Sequence, residues 1–302
     1  MKASTIIILF RKMLINDLIF IFSPINTESL TNREEWYFSK KYLFIFLIFL
    51  GFSKPTFAAD TLQLHKLVNR AFKGGEQLKY KVYYTASLLY VPAGEVQFDA
   101  NLENYNSKTC WHFKGSGRTY KSYDWFFRVK DLYESYVDTQ TMLPIKFLRD
   151  VHEGGYKLYH NVTFMQEKHL AVSTKGVYKV PNGIQDIMSA VFSIRNVDCS
   201  NLVIGQKIPF NIFIDDEIWP IYIKYAGKEK IKTKVGTVNC MKFIPFLIKG
   251  NLFKGGEGMK IWITDDANKI PIRIESEVSV GYVRADLTEM TNIRSAFTSK
   301  IK

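Results

Sequence analysis

Gln77-Leu78-Lys79-Tyr80-Lys81-Val82-Tyr83-Tyr84 and, past a Pro92-Ala93-Gly94 break, Glu95-Val96-Gln97-Phe98-Asp99-Ala100-Asn101-Leu102-Glu103 decide the fold. In the first stretch Leu78, Tyr80, Val82 and Tyr84 share one side of an extended chain, and Lys79 and Lys81 take the other. In the second, Val96, Phe98, Ala100 and Leu102 alternate with acids and amides. An apolar residue at every second position marks a strand with one buried face. Two such runs separated by Pro-Ala-Gly read as a hairpin, with its turn at those three residues.

The pattern continues along the chain. Runs 110–114, 126–137, 145–151, 156–164 and 169–174 follow it, with Pro144 and Gly154-Gly155 as turns between them. It resumes at 207–214, 218–225, 238–246, 259–264, 270–280 and 282–290, where Asp265-Asp266-Ala267-Asn268 is turn chemistry. Gly281 is placed to kink or bulge the chain between the last two runs. One segment departs from period two. Over 184–195, Ile187, Val191 and Ile194 recur at helical spacing with Met188 and Phe192 beside them, which predicts a short amphipathic helix capped near Asn182. A weaker helix is expected over 62–72.

The expected fold is therefore mainly β: a large curved antiparallel sheet, half-barrel or barrel, with the 184–195 helix packed on it. Hydrophobic residues make up 47% of the 302 residues and aromatics 15%, enough for a core and against disorder. The aromatics are mostly Phe (23) and Tyr (17), which suit pleated, half-buried surfaces. Phe72-Lys73-Gly74-Gly75-Glu76 recurs as Phe253-Lys254-Gly255-Gly256-Glu257, each time just before a strand. Two strands entered through the same glycine turn, or two similar β halves, would each give this repeat.

The N-terminal region reads as a leader. Lys40 and Lys41 precede an apolar run at 42–52, and Pro55 to Ala59 supplies the small residues that a signal peptidase requires. The expected organisation is a signal peptide at 40–59, cleaved near Ala58 or Ala59, and one exported, periplasmic β-rich domain at 60–302. Residues 1–39 are a doubtful extension, read as a mis-assigned start. Their apolar stretch 6–22 carries Arg11, Lys12 and Asp17, which disfavours a spanning helix. The alternative is a membrane tether made by an uncleaved N-terminal segment.

The net charge of +12 comes from dispersed lysines and arginines rather than a basic stripe, so nucleic acid is not an expected partner. A solvated sheet face explains the charge, and peripheral contact with an anionic membrane is compatible with it. Cys110, Cys199 and Cys240 permit one disulfide or none.

The motifs Phe72-Lys73-Gly74-Gly75-Glu76-Gln77-Leu78-Lys79-Tyr80, Pro92-Ala93-Gly94-Glu95, Gln185-Asp186-Ile187-Met188-Ser189-Ala190, Ile261-Trp262-Ile263-Thr264-Asp265-Asp266 and Ile270-Pro271-Ile272-Arg273-Ile274 occur in that order. With them the chain from Phe72 to Met290 resembles family 3108 of the domains of unknown function. The resemblance implies an exported envelope protein of a Gram-negative bacterium with no assigned biochemical role, and it carries over no site residue.

No catalytic motif is present: the sequence has no nucleophile elbow, phosphate loop or dinucleotide fingerprint. The five histidines lack metal-ligand spacing, so no metal or cofactor is expected. His160, between Leu158 and Val162 on the apolar face, reads as a hydrogen-bonded core residue, and His152 beside Glu153 as a loop residue. Asp265-Asp266 and Asp215-Asp216 read as solvated turn acids. The remaining feature is aromatic density. Tyr120, Tyr123, Trp125, Phe127, Trp219 and Tyr222 are candidate lining of an apolar pocket, or equally the filling of a closed barrel. The preferred expectation is a non-enzymatic envelope protein carrying a lipid-like ligand. The alternative is an assembly factor that acts by protein contact at a sheet edge.

Overall fold

The computed structural model describes residues 67–86, 89–123, 128–246, 256–277 and 281–301. The strands are β1 (Glu76–Ala86), β2 (Leu89–Tyr105), β3 (Lys108–Thr119), β4 (Val129–Asp138), β5 (Pro144–Glu153), β6 (Tyr156–Met165), β7 (Leu170–Ser173), β8 (Val177–Lys179), β9 (Lys207–Ile214), β10 (Glu217–Thr233), β11 (Gly236–Pro245), β12 (Met259–Thr264), β13 (Pro271–Glu277) and β14 (Tyr282–Thr291). They form one 14-stranded sheet in the order β8-β7-β6-β5-β4-β3-β2-β1-β14-β13-β12-β11-β10-β9. The chain thus makes two antiparallel meanders, β1 to β8 and β9 to β14, fused where the first strand pairs with the last. The expected mainly β sheet with one short helix is what the protein has.

The inner face holds the core. Leu78, Tyr80, Val82, Phe98, Ala100, Phe113, Tyr133, Phe147 and Val162 belong to one buried cluster that also contains Met188 and Phe192 of the helix. That helix, α1 (Ile187–Ile194), links the two meanders and packs against β3, β4 and β9. Phe192 stacks on Phe113 at 4.0 Å between ring centroids, and Phe72 meets both edge-on at 5.3 and 5.4 Å.

The helix starts later than periodicity predicts, and its cap is Asp186 rather than Asn182. Asp186 accepts from Ser189 N at 2.8 Å while its own N donates to Ser189 Oγ at 2.9 Å, a reciprocal capping box. Ser135 Oγ donates to the same carboxylate at 2.6 Å. Burial pushes the Asp186 carboxyl up to about 6. Residue 185 cannot join the helix because its backbone is committed to β9, with Gln185 N donating to Asn211 O and Phe213 N to Gln185 O.

Three further expectations are corrected. Pro92-Ala93-Gly94 is not a turn but lies inside β2. Val82 faces Gly94 and Tyr83 faces Pro92, which leaves Ala93 as the extra residue of a bulge and puts Pro92, which lacks an N–H, beside the break in the ladder, where strands tolerate proline. Leu102, expected inward, is 50% exposed near the end of β2. The described part of the 62–72 segment is not helical; Ala71 and Phe72 enter the core through a bend held by Asn69, whose Oδ1 accepts from both of their N–H groups. All three cysteines are free, and burial pushes the Cys199 and Cys240 thiols up to about 11 and 12. The repeated pentapeptide is a shared turn in part, with Gly75 at φ 84° and Gly256 at φ 82°, while Phe253 to Gly255 lie outside the described residues.

The bulge also explains Gly94. A Cβ there would lie 2.3 Å from Arg118 O on β3, so the two backbones are closer than any side chain allows. Gly94→Ala is expected to cost about 1–3 kcal/mol by forcing β2 from β3. Urea unfolding checks this, with Gly155→Ala as the comparison, because nothing lies within 4 Å of a Cβ at that position.

Candidate functional site

The alternation that buries one face of β1 to β6 presents the other face to solvent. Lys79 and Lys81 of β1, Glu95 and Gln97 of β2, Lys114, Ser116 and Arg118 of β3, Lys130 of β4, Asp150 and His152 of β5, and Lys157 of β6 share it. β-bulges on both neighbours of β1, at Ala93 of β2 opposite Val82/Tyr83 and at Thr288 of β14 opposite Lys79/Tyr80, add local twist. The outer face holds a groove of about 1030 Å³ that extends from Glu289 on β14 to Lys157 on β6.

Charge in the groove is unbalanced. Its lining holds seven Lys or Arg residues (79, 81, 114, 118, 128, 130 and 157) against four Asp or Glu residues (95, 131, 150 and 289). Lys79 pairs with Glu289 at 2.7 Å and Arg118 with Glu95 at 3.0 Å. His152 Nε2 lies 2.9 Å from Asp150. Lys81, Lys114, Arg128, Lys130 and Lys157 form no ion pair among the described residues. Lys81 instead lies over the Tyr83 and Tyr120 rings, at 5.8 and 5.5 Å from their centroids. Lys79 gains a higher pKa from its hydrogen bond to Glu289. The arrangement offers ammonium and guanidinium donors at intervals along an open trough, a geometry that suits anions.

Among the described residues, the interior around α1 is occupied by side chains. Between α1 and β2–β4 a void of about 60 Å³ remains beside Met188, lined by Val82, Phe98, Val129 and Tyr133, well short of the 300 Å³ or so that a small-molecule pocket needs. Gly115 keeps that contact close, since a Cβ there would meet Met188 Sδ at 3.1 Å.

Of the aromatic residues singled out by sequence, the three whose side chains are described, Tyr120, Trp219 and Tyr222, lie in separate surroundings. Tyr120 lines the groove, where burial raises its hydroxyl pKa. Trp219 packs in a separate apolar cluster with Ala190, Ile212 and Ile214. Tyr222 donates to Glu257 at 3.1 Å, stacks on Phe246 at 5.0 Å and carries Lys207 over its ring at 4.2 Å. Trp125, Phe127 and the Tyr123 side chain lie outside the described residues. His160 is the hydrogen-bonded core histidine expected, 3.1 Å from Asp216. His152 and Glu153 are the end of β5 rather than a loop. Asp215 and Asp216 do form a turn, but a largely buried one rather than a solvated one. Asp265 and Asp266 stay at a turn, where Lys228 pairs with the first at 2.7 Å and Thr264 and Asn268 donate to the second. In the sequence the lysines of the groove read as a solvated face, and cations recurring at alternate positions of successive strands are the signal that the sequence carries.

Comparison with known proteins follows the same lines. A family model described as "Protein of unknown function (DUF3108)" matches residues 79–288. No curated protein matches the chain. Among solved structures, a β-barrel-like protein of the domain of unknown function DUF1849 from Brucella abortus is similar at a TM-score of 0.51 and 10% identity, over 74% of this chain and 100% of that one. That likeness supports the fold alone. A presumed exported protein of YmcC-like fold from Bacteroides fragilis reaches a TM-score of 0.33 at 10% identity, over 74% of this chain and 99% of that one. The hypothetical protein CT021 from Chlamydia trachomatis reaches 0.32 at 10% identity, over 76% and 93%.

Proposed function

This chain belongs to the DUF3108 family of proteins of unknown function, so its role has to be read from its own geometry, and we propose that it is a non-enzymatic binding protein of the bacterial envelope that holds an elongated anionic ligand in the outer groove. One observation carries this reading: five cations without an ion pair among the described residues stand along one trough of about 1030 Å³. The leader-like sequence at 40–59 supports an exported, periplasmic setting, where carboxylated or phosphorylated glycans and lipid headgroups are the available polyanions. A lipid-like ligand then binds through its charged headgroup rather than by burying its chains in the barrel. The side chains packed around α1 favour that mode.

Titration of the chain from residue 60 onward tests the proposal. The probes are polygalacturonate and vesicles of phosphatidylglycerol, with phosphatidylcholine vesicles as the neutral control. Binding to at least one anionic probe is expected, weakening as salt rises. With about 1 kcal/mol contributed per cation, a Lys81→Glu, Lys114→Glu, Lys130→Glu triple variant loses at least about a hundredfold in affinity. An equal charge change outside the groove, at Lys168, Lys230 and Lys232, leaves binding within about threefold of wild type. Equal losses from both triple variants would show attraction to net charge alone and end the groove assignment, as would absence of binding to every anionic probe.

A further inference from the structure

The inner face turns polar at one end of the sheet. Register places Arg149 of β5 directly between Tyr133 of β4 and His160 of β6, and Asp131 and Glu153 follow toward the strand ends on the same face. Arg149 is fully buried, and its Nη2 donates to Asp215 Oδ1. His160 Nε2 lies 3.1 Å from Asp216 Oδ1, and Lys175 Nζ lies 3.5 Å from the other oxygen of that carboxylate. Asp215 and Asp216, at φ 52° and 64°, are the two central residues of the β9–β10 turn. Both are in the left-handed conformation of a tight hairpin.

These pairs bridge a seam. β9 and β8 are the two ends of the sheet order, with no strand pairing between them. The sheet curls until β9 reaches the first meander through side chains: Phe213 meets Phe164 and Tyr178 at 6.1 and 5.4 Å, and the β9–β10 turn meets Arg149 and His160. The ion-paired end of the seam is under-satisfied. Arg149 Nε and Nη1, Glu153 Oε1, His160 Nδ1 and Asp215 Oδ2 are all buried without a hydrogen-bond partner. Arg149 therefore has donors to spare, and a carboxyl pair within its electrostatic reach can compete for them.

We propose that this cluster is a proton-operated latch on the seam: Asp131 and Glu153 share a proton, and its loss to solvent shifts Arg149 from Asp215 toward the carboxyl pair, freeing the β9–β10 turn. The groups around the pair are Arg149, His152 and Tyr133, with Tyr156 near Glu153, and Asp215, His160, Asp216 and Lys175 lie beyond Arg149. Burial raises both carboxyl pKa values, Glu153 further because Asp131 lies beside it, and Arg149 only partly opposes this. The sign follows from linkage. Folded values above the unfolded ones mean that the folded form binds the proton more tightly, so the stability that the protonated pair contributes is complete at low pH. It is lost as pH rises past the ordinary carboxyl range through the raised folded values. Rising pH opens the latch, whatever the groove binds.

Hydrogen exchange of backbone amides 207–217, corrected for its intrinsic pH dependence, tests this from about pH 6.5 to pH 9. Protection of β9 and its turn is expected to fall at least about tenfold across that range while β1 to β3 keep theirs. Glu153→Gln, which holds that position neutral, flattens the profile. Asp131→Asn removes the other member of the pair and does the same, and either variant suffices if the other does not fold. A wild-type profile without slope overturns the latch. So does a slope shared with β1 to β3, or one that survives both substitutions.

Discussion

Glu76→Ala is expected to cost about 3–5 kcal/mol, enough to unfold much of the population of a domain of ordinary stability. Glu76 and Arg195 are 1% and 2% exposed and pair through both carboxylate oxygens, at 2.6 and 3.0 Å. Arg195 follows directly on α1, donates twice to Asn268 O on the β12–β13 connection, and lies over the Phe72 and Phe192 rings at 5.3 and 5.7 Å. One guanidinium thus ties the start of the first meander, the helix and a hairpin of the second. Removing the carboxylate leaves a buried positive charge facing aromatic rings and a carbonyl, which the core cannot hydrate. Urea denaturation followed by circular dichroism measures the loss. A Glu76→Leu, Arg195→Met double variant is expected to lose less than Glu76→Ala alone, because no charge is stranded. If the double variant loses more, packing around the pair and not its charge sets the energy.

Phe192→Ala carries the second large effect, about 3–5 kcal/mol. The ring lies between Phe113 at 4.0 Å and Phe72 at 5.3 Å, and α1 is the segment that joins the meanders. Phe113 belongs to β3, which is pinned between β2 and β4, and Phe72 is fully buried, so neither can readily collapse into the space. Phe192→Leu keeps most of the volume and is expected to cost less than half as much. The Ala variant should also gain a dry cavity that takes up benzene, and recovery of its thermal midpoint in benzene-saturated buffer provides the check. A midpoint unmoved by benzene would show that the core had closed over the gap.

The strands and the helix were legible because each depends on neighbours in sequence. Period two at 77–84 and the 3.6-residue spacing of Ile187, Val191 and Ile194 are local, and tertiary structure reinforced them. Pro92-Ala93-Gly94 misled because proline and glycine usually signal a turn, whereas here the proline stands at a bulge and the glycine answers a close backbone approach. The groove was hidden for another reason. Lys81, Lys114, Lys130 and Lys157 are each ordinary solvent-facing strand residues, and only cross-strand register and sheet twist gather them into one trough. Asp215-Asp216 has turn composition and forms a turn, but nothing in the sequence near it reveals Arg149 and His160 on the facing strands. Trp219 and Tyr222, three residues apart, fall on opposite sides of β10 by strand alternation, which their spacing in the sequence already implies.

The pairing of β1 with β14, from Gln77 against Thr291 to Thr85 against Tyr282, also governs when the molecule can form. A ribosome or a translocation pore delivers the N-terminus first, so the central strand of the sheet waits for a partner about 200 residues behind it, a closure that is slow to nucleate. Until then β1 has one open edge, and a holding chaperone would find its substrate there. The sheet therefore closes only with the final strand delivered, which acts as the zipper pull.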